Sequence, residues 1–77
     1  MGKLGPITPQ KFERFLKYAG CEFIRQKGSH KVYRRADLIR PVIVPFHCGD
    51  LPTYVVRITL RQLNVSVDDY LEMLDRM

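Results

Sequence analysis

Residues 22–35 read "EFIRQKGSHKVYRR", and their pattern decides the fold. "EFIRQK" (22–27) and "HKVYRR" (30–35) are short runs carrying β-branched and aromatic residues, separated only by Gly28-Ser29. Glycine in the first position of a two-residue loop fits a type II′ turn, whose twist suits a tight antiparallel hairpin. Two strands are therefore expected, over 22–27 and 30–35. Strict alternation places Phe23 and Val32 on one face of this hairpin and Ile24 and Tyr33 on the other. Both faces carry apolar groups, so neither is marked as the buried one. In a two-residue loop Lys27 and His30 lie opposite each other across the strands, and they share a face with Arg25 and Arg34.

Toward the N-terminus, Thr8 followed by Pro9 is a helix start, with the hydroxyl as N-cap and proline at the first helical position. Phe12, Phe15, Leu16 and Ala19 then recur at the spacing of one apolar helical stripe. Gly20 supplies the left-handed residue that ends a helix over about 9–19. Toward the C-terminus, "ADLIR" leads into "PVIVP", a β-branched run bracketed by prolines, which limit it to a short strand at about 41–45. The connections are short enough to make all three strands antiparallel. "FHCGD" reads as a loop. A second helix is expected from Leu51-Pro52, capped by Asp50 and ended by Asn64, with Val55, Val56, Leu60 and Leu63 as its apolar residues. Ser66 caps a third, with Asp68 and Asp69 favourably placed in its first turn. Val67, Tyr70, Leu71 and Leu74 form the apolar stripe of that helix.

The resulting order is α-β-β-β-α-α, an α+β fold. So short a chain cannot bury both faces of a sheet, so the helices are expected on one face of a three-stranded antiparallel sheet, with the other left open to a ligand.

Length and composition fit that picture. With 77 residues, 45% of them hydrophobic, the chain reads as one small globular domain over 1–77. No apolar run approaches the roughly 18 residues that would span a bilayer. "MGKLGPITPQ" lacks the apolar core of a secretory signal, which points to a cytoplasmic protein. Gly2 is out of context for myristoylation because Pro6 stands where that motif wants Ser or Thr. Cys21 and Cys48 are too few to staple a secreted mini-protein and read as reduced thiols packed as small apolar groups. Cys21, His30, His47 and Cys48 show none of the paired spacings of a metal site, so no metal or other cofactor is expected.

The net charge of +5 is unevenly spread. Residues 25–40 hold six cations (Arg25, Lys27, Lys31, Arg34, Arg35, Arg40) against Asp37 alone, whereas 64–77 hold four acids against Arg76. One end of the molecule can attract phosphates while the tail repels them.

Three blocks, in register along almost the whole chain, carry a resemblance. "GCEFIRQKGSHKVYRR", "VIVPFHCGDL" and "VRITLRQLNVSVDDYLEML" are similar to successive blocks of the HicA (YcfA-like) toxin family. The most specific part is the Gly28-Ser29-His30 turn after an Arg-x-Lys strand. It is supported by the Val-Pro-x-His run ending at His47 and by Arg57 through Gln62 followed by Val65-Ser66. The resemblance implies a double-stranded-RNA-binding-like fold and an mRNA-cleaving toxin held inactive by a HicB-type antitoxin. It places the family's active-site histidine on His30.

The residues themselves suggest how such a site would work. A neutral imidazole at His30 can accept the proton of a ribose 2′-hydroxyl, so that this oxygen attacks the adjacent phosphate. Cations already in place, Lys27 and an arginine, can hold the charge that builds on the phosphate. Such chemistry requires no metal, because RNA brings its own nucleophile. Gly28 lets the backbone approach phosphates closely. Arg25, Lys27, Gly28, Ser29, Lys31, Arg34 and Arg35 are the expected RNA contacts. His47 is a second candidate, as general acid for the leaving oxygen or as a loop histidine capping a turn. Arg57 and Arg61 either extend the footprint or form a solvated helix face. The leading expectation is thus a metal-independent endoribonuclease, monomeric when free, with mRNA and an antitoxin as partners and no membrane association. The alternatives are an RNA-binding module that uses the same basic sheet without cutting, and an interaction protein that docks an acidic partner.

Overall fold

Thr8 starts the first helix as its sequence requires: in the computed structural model, which describes residues 3–47 and 49–77, its hydroxyl accepts a hydrogen bond from the Lys11 N–H at 3.2 Å. The readings made for Gly2 and Cys48 lie outside these residues. Helix α1 spans Pro9–Tyr18 and buries Pro9, Phe12, Phe15 and Leu16. Gly20, at φ 92, reverses the chain. The Gly20 and Cys21 N–H groups then return to the carbonyls of Lys17 (3.1 Å) and Leu16 (2.8 Å), the two bonds of a Schellman closure.

Strands β1 (Glu22–Lys27), β2 (His30–Arg34) and β3 (Val42–Pro45) form an antiparallel sheet in the order β1-β2-β3. Helices α2 (Thr53–Leu63) and α3 (Val67–Arg76) complete an α-β-β-β-α-α, α+β fold. Gly28 is at φ 60, and Asn64 is the one non-glycine residue at positive φ among those described, so Ser29 is at negative φ, the sign pattern of a type II′ turn.

Tyr33, Val42 and Val44 are fully buried and define the helix-covered face of the sheet. Against them pack Phe12, Phe15 and Leu16 of α1, Val56, Leu60 and Leu63 of α2, and Tyr70 of α3. The Tyr70 ring meets that of Phe15 edge-on, with centroids 4.8 Å apart. Cys21 joins this core, and burial pushes its thiol pKa up.

Two sequence expectations are corrected. Asp50 does not cap α2. The N-cap is Pro52, without a side-chain bond, and the preceding segment is fixed by the Leu51 N–H donating to the Ile7 carbonyl at 2.8 Å. The expected division of apolar residues between the hairpin faces also fails. The register runs Lys27↔His30, Gln26↔Lys31, Arg25↔Val32, and then breaks at a β-bulge, so that Phe23 rather than Ile24 opposes Tyr33. The extra residue brings the half-exposed Phe23 ring to the helix-covered face, 5.8 Å centroid to centroid from Tyr33.

Candidate functional site

The register assigns the faces. On β2, His30, Val32 and Arg34 alternate with Lys31 and the buried Tyr33, so the first three lie on the open face. Arg25 and Lys27 of β1 oppose Val32 and His30 and join them; Ile43 and Pro45 of β3 oppose Val32 and His30 from the other side. One surface thus gathers Arg25, Lys27, His30 and Arg34, all exposed, around an apolar strip of Val32 and Ile43. At its tip, Gln26 Nε2 donates to the Gly28 carbonyl at 3.0 Å.

His47 reaches the same place. The Phe46 N–H donates to the Ser29 carbonyl at 2.6 Å, extending the β2–β3 ladder past Pro45 and drawing the loop up to the turn. The His30 and His47 rings stand edge-to-face with centroids 6.1 Å apart. Two imidazoles at that separation can flank one phosphodiester.

Lys31 and Arg35, both expected RNA contacts, are engaged elsewhere. Lys31 points to the helix-covered side, where its ammonium lies 3.3 Å from Glu13 Oε2 and 4.2 Å from the Phe46 ring centroid. The Tyr33 hydroxyl also donates to Glu13 Oε2. Burial opposes the charge on Glu13, but the bonds from Tyr33 and Lys31 outweigh it and hold this carboxyl below its ordinary pKa. The same burial, with the Glu13 carboxylate alongside, pushes the Tyr33 phenol far above its usual range. Lys31 thereby braces the underside of the sheet and packs its ammonium on Phe46, the residue before His47.

Arg35 closes the base of the hairpin. Its guanidinium donates to the Ala19 carbonyl (2.9 Å) at the end of α1, to the Leu63 carbonyl (3.3 Å) at the end of α2, and to both carboxylate oxygens of Asp37 (2.6 and 3.0 Å). Ser29 is partly buried, and its carbonyl is the acceptor for Phe46. Arg57 and Arg61 are exposed on α2, outside the hairpin. Arg40, a cation of the basic segment to which the sequence assigns no role in the site, lines a cleft on the open face with Arg25 and Arg34. Its position depends on how residues 36–41 fold back over the sheet, for which the sequence carries no local signal. Among the described residues, no group of three or more His, Cys, Asp or Glu side chains is arranged to hold a metal ion.

A family model described as the HicA toxin of bacterial toxin-antitoxin matches residues 9–65, which include both histidines and the whole sheet. The chain belongs to the HicA toxin family. Membership makes it the toxin component of a toxin–antitoxin pair and implies an antitoxin partner. The matched span of this HicA toxin ends before α3, which contributes Tyr70 to the core and nothing to the open face. The comparison with curated proteins gives no match. Among the described residues, no helix of this HicA toxin is long and apolar enough to cross a membrane.

Proposed function

We propose that this chain is a metal-independent endoribonuclease that cleaves mRNA, with His30 as the general base, and that a HicB-type antitoxin neutralises it by covering the open face of the sheet. The observation that carries the reading is the pairing of His30 with Lys27 across the turn, with His47 beside it. His30 takes the proton of a ribose 2′-hydroxyl. The freed oxygen forms a bond to the adjacent phosphorus, giving a 2′,3′-cyclic phosphate, and the bond from phosphorus to the 5′-oxygen breaks. His47, in its protonated form, returns a proton to that leaving oxygen. Lys27, Arg25 and Arg34 hold the phosphate and stabilise the charge that develops on it. RNA supplies the nucleophile, so no step needs a metal.

Residues 1–77 act in this reading as one cytoplasmic toxin domain, monomeric until the antitoxin binds. An acidic antitoxin surface fits the cationic face, because it competes directly with phosphate.

The test is His30→Ala. The side chain is exposed beside a turn, so the melting midpoint should stay within the roughly 0.5 kcal/mol typical of surface substitutions. RNA affinity should persist, because the cations do most of the holding. Cleavage of a long RNA in EDTA should fall by roughly two to four orders of magnitude, and growth inhibition should go with it. A folded His30→Ala protein that cuts at the wild-type rate refutes the reading. Wild-type protein that shifts RNA on a gel without cutting it establishes the non-catalytic RNA-binding module instead.

A further inference from the structure

Further along the open face from His30 lies a cleft of about 260 Å³. One wall is the sheet, with Ile24 and Val32 as its apolar part; the other is the segment 38–41 folded over it. Arg25, Arg34 and Arg40 line it, and no acidic side chain does. The β-bulge makes this cleft, because the additional residue in β1 leaves Ile24 beside Arg25 and Val32 rather than opposite Tyr33. The overhanging segment is held in place. Leu38 N–H donates to the Arg35 carbonyl at 2.9 Å, and Gln62 Nε2 from α2 donates to the carbonyls of Arg40 (3.4 Å) and Pro41 (3.2 Å).

The volume lies just below the roughly 300 Å³ at which sites for whole small molecules begin, a size suited to one planar ring. Apolar walls with guanidinium groups at the edges suit an unstacked nucleobase, which packs its face on aliphatic or guanidinium surface and offers its edge to donors. Val32 and Arg34 follow His30 on the same face at two-residue intervals. At about 3.3 Å per residue the cleft begins roughly 7 Å from the histidine and extends to about 13 Å. That distance suits a neighbouring nucleotide rather than the one being cut. The cleft's charged side chains are guanidiniums, donors without acceptors, so they match a base edge that presents two acceptors side by side. Two edges of an unpaired base meet that condition, the O6/N7 pair of guanine and the O2/N3 pair of cytosine. Guanine is favoured because its larger purine face covers more of the apolar wall and because a bidentate arginine on O6/N7 is the commonest specific contact of this side chain.

Resting on the endoribonuclease reading for its biological setting, we propose that this cleft is a guanine-binding subsite that selects where the RNA strand is cut, with Arg40 as its specificity-determining residue. Arg40 is the cation of this set that comes from the overhanging segment, and the Gln62 bonds to its own carbonyl and the next fix the segment that presents it.

The experiment uses the full chain and short single-stranded oligoribonucleotides that differ only by guanine, adenine or cytosine at each position flanking one cut site. Each is made both with a normal ribose and with an uncleavable 2′-O-methyl group at the cut. Wild-type protein should favour guanine at one fixed offset by roughly 5- to 100-fold, in Kd for the uncleavable set and in rate for the other. Arg40→Ala should bring both ratios to about one. Arg40→Lys keeps the charge but loses the planar fork, so it should recover overall affinity without recovering the ratio. Wild-type protein with no guanine preference in Kd, or an Arg40→Lys protein that retains the full ratio, overturns the subsite. An Arg40→Ala effect equal on all sequences overturns it too, because it reduces Arg40 to a phosphate contact. Guanine-selective binding without cleavage leaves the subsite standing and removes the endoribonuclease reading; cleavage without preference does the reverse.

Discussion

Arg34 and Arg35 are adjacent in sequence and identical in composition, yet the structure predicts opposite consequences for removing them. Arg35→Ala deletes donors to the Ala19 carbonyl at 2.9 Å and the Leu63 carbonyl at 3.3 Å, from a side chain only 24% exposed. A hydrogen bond to a charged group contributes about 1.5–3 kcal/mol, and the second contact is long enough to count for less. The bond to Asp37 adds little, since that carboxylate is 62% exposed. The expected loss is therefore about 2–3 kcal/mol, a large share of the few kcal/mol available to a domain of this size. At about 4–8 °C per kcal/mol for small domains, the melting midpoint should drop by roughly 10–20 °C. Arg34→Ala removes an exposed side chain from the open face and should move the midpoint by no more than about 3 °C, while weakening RNA binding. Calorimetry on the two variants, with RNA affinity measured well below either midpoint, separates the roles. If Arg35→Ala melted with the wild type while losing affinity as Arg34→Ala does, the clamp would be refuted.

Acid stability should depend on Glu13. Its folded pKa lies below its unfolded one, so the unfolded chain takes up a proton first as pH falls; the contribution is complete above about pH 5 and is lost as pH falls through the folded value. Urea midpoints should therefore decline toward pH 3 in the wild type and much less in Glu13→Gln, and parallel declines would count against the Tyr33–Glu13–Lys31 arrangement. Salt should report how many phosphates the open face holds. With Arg25, Lys27 and Arg34 contributing, and Arg40 as a fourth, log Kd against log salt on single-stranded RNA should have a slope of magnitude roughly 2–3, and a slope of 4 or more would mean that Lys31 and Arg35 leave their partners to bind.

The parts of the fold that were legible in the sequence are those set by residues next to one another. Thr8-Pro9, Gly20, Gly28-Ser29 and Ser66 each fix a boundary through a bond or a φ value within a few positions, and the structure has all four. The opposition of Lys27 and His30 followed from loop length alone. What the sequence did not disclose was settled at a distance. In sequence Lys31 reads as a phosphate contact because its carboxylate partner is 18 residues away, and Arg35 does so because its carbonyl acceptors are 16 and 28 residues away. Asp50 has the right chemistry for a cap, but the chain beyond it is tied to Ile7. The approach of His47 to His30 likewise depends on a backbone bond between Phe46 and Ser29 that no spacing rule anticipates.

The bulge in β1 behaves as a phase slip between two alternations of side chains. Residues 25–27 keep time with the turn, and Glu22 and Phe23 keep time with the base of the hairpin; Ile24 absorbs the half-period between them. Pairing that single residue in a regular ladder would force one rhythm on the whole strand. If the base prevailed, Arg25 and Lys27 would rotate beneath the sheet, away from His30; if the turn prevailed, Phe23 would swing out among the cations. Loss of the Ile24 codon would instead make Phe23 and Arg25 neighbours on opposite faces, keeping both rhythms in step and taking from the cleft only its Ile24 wall.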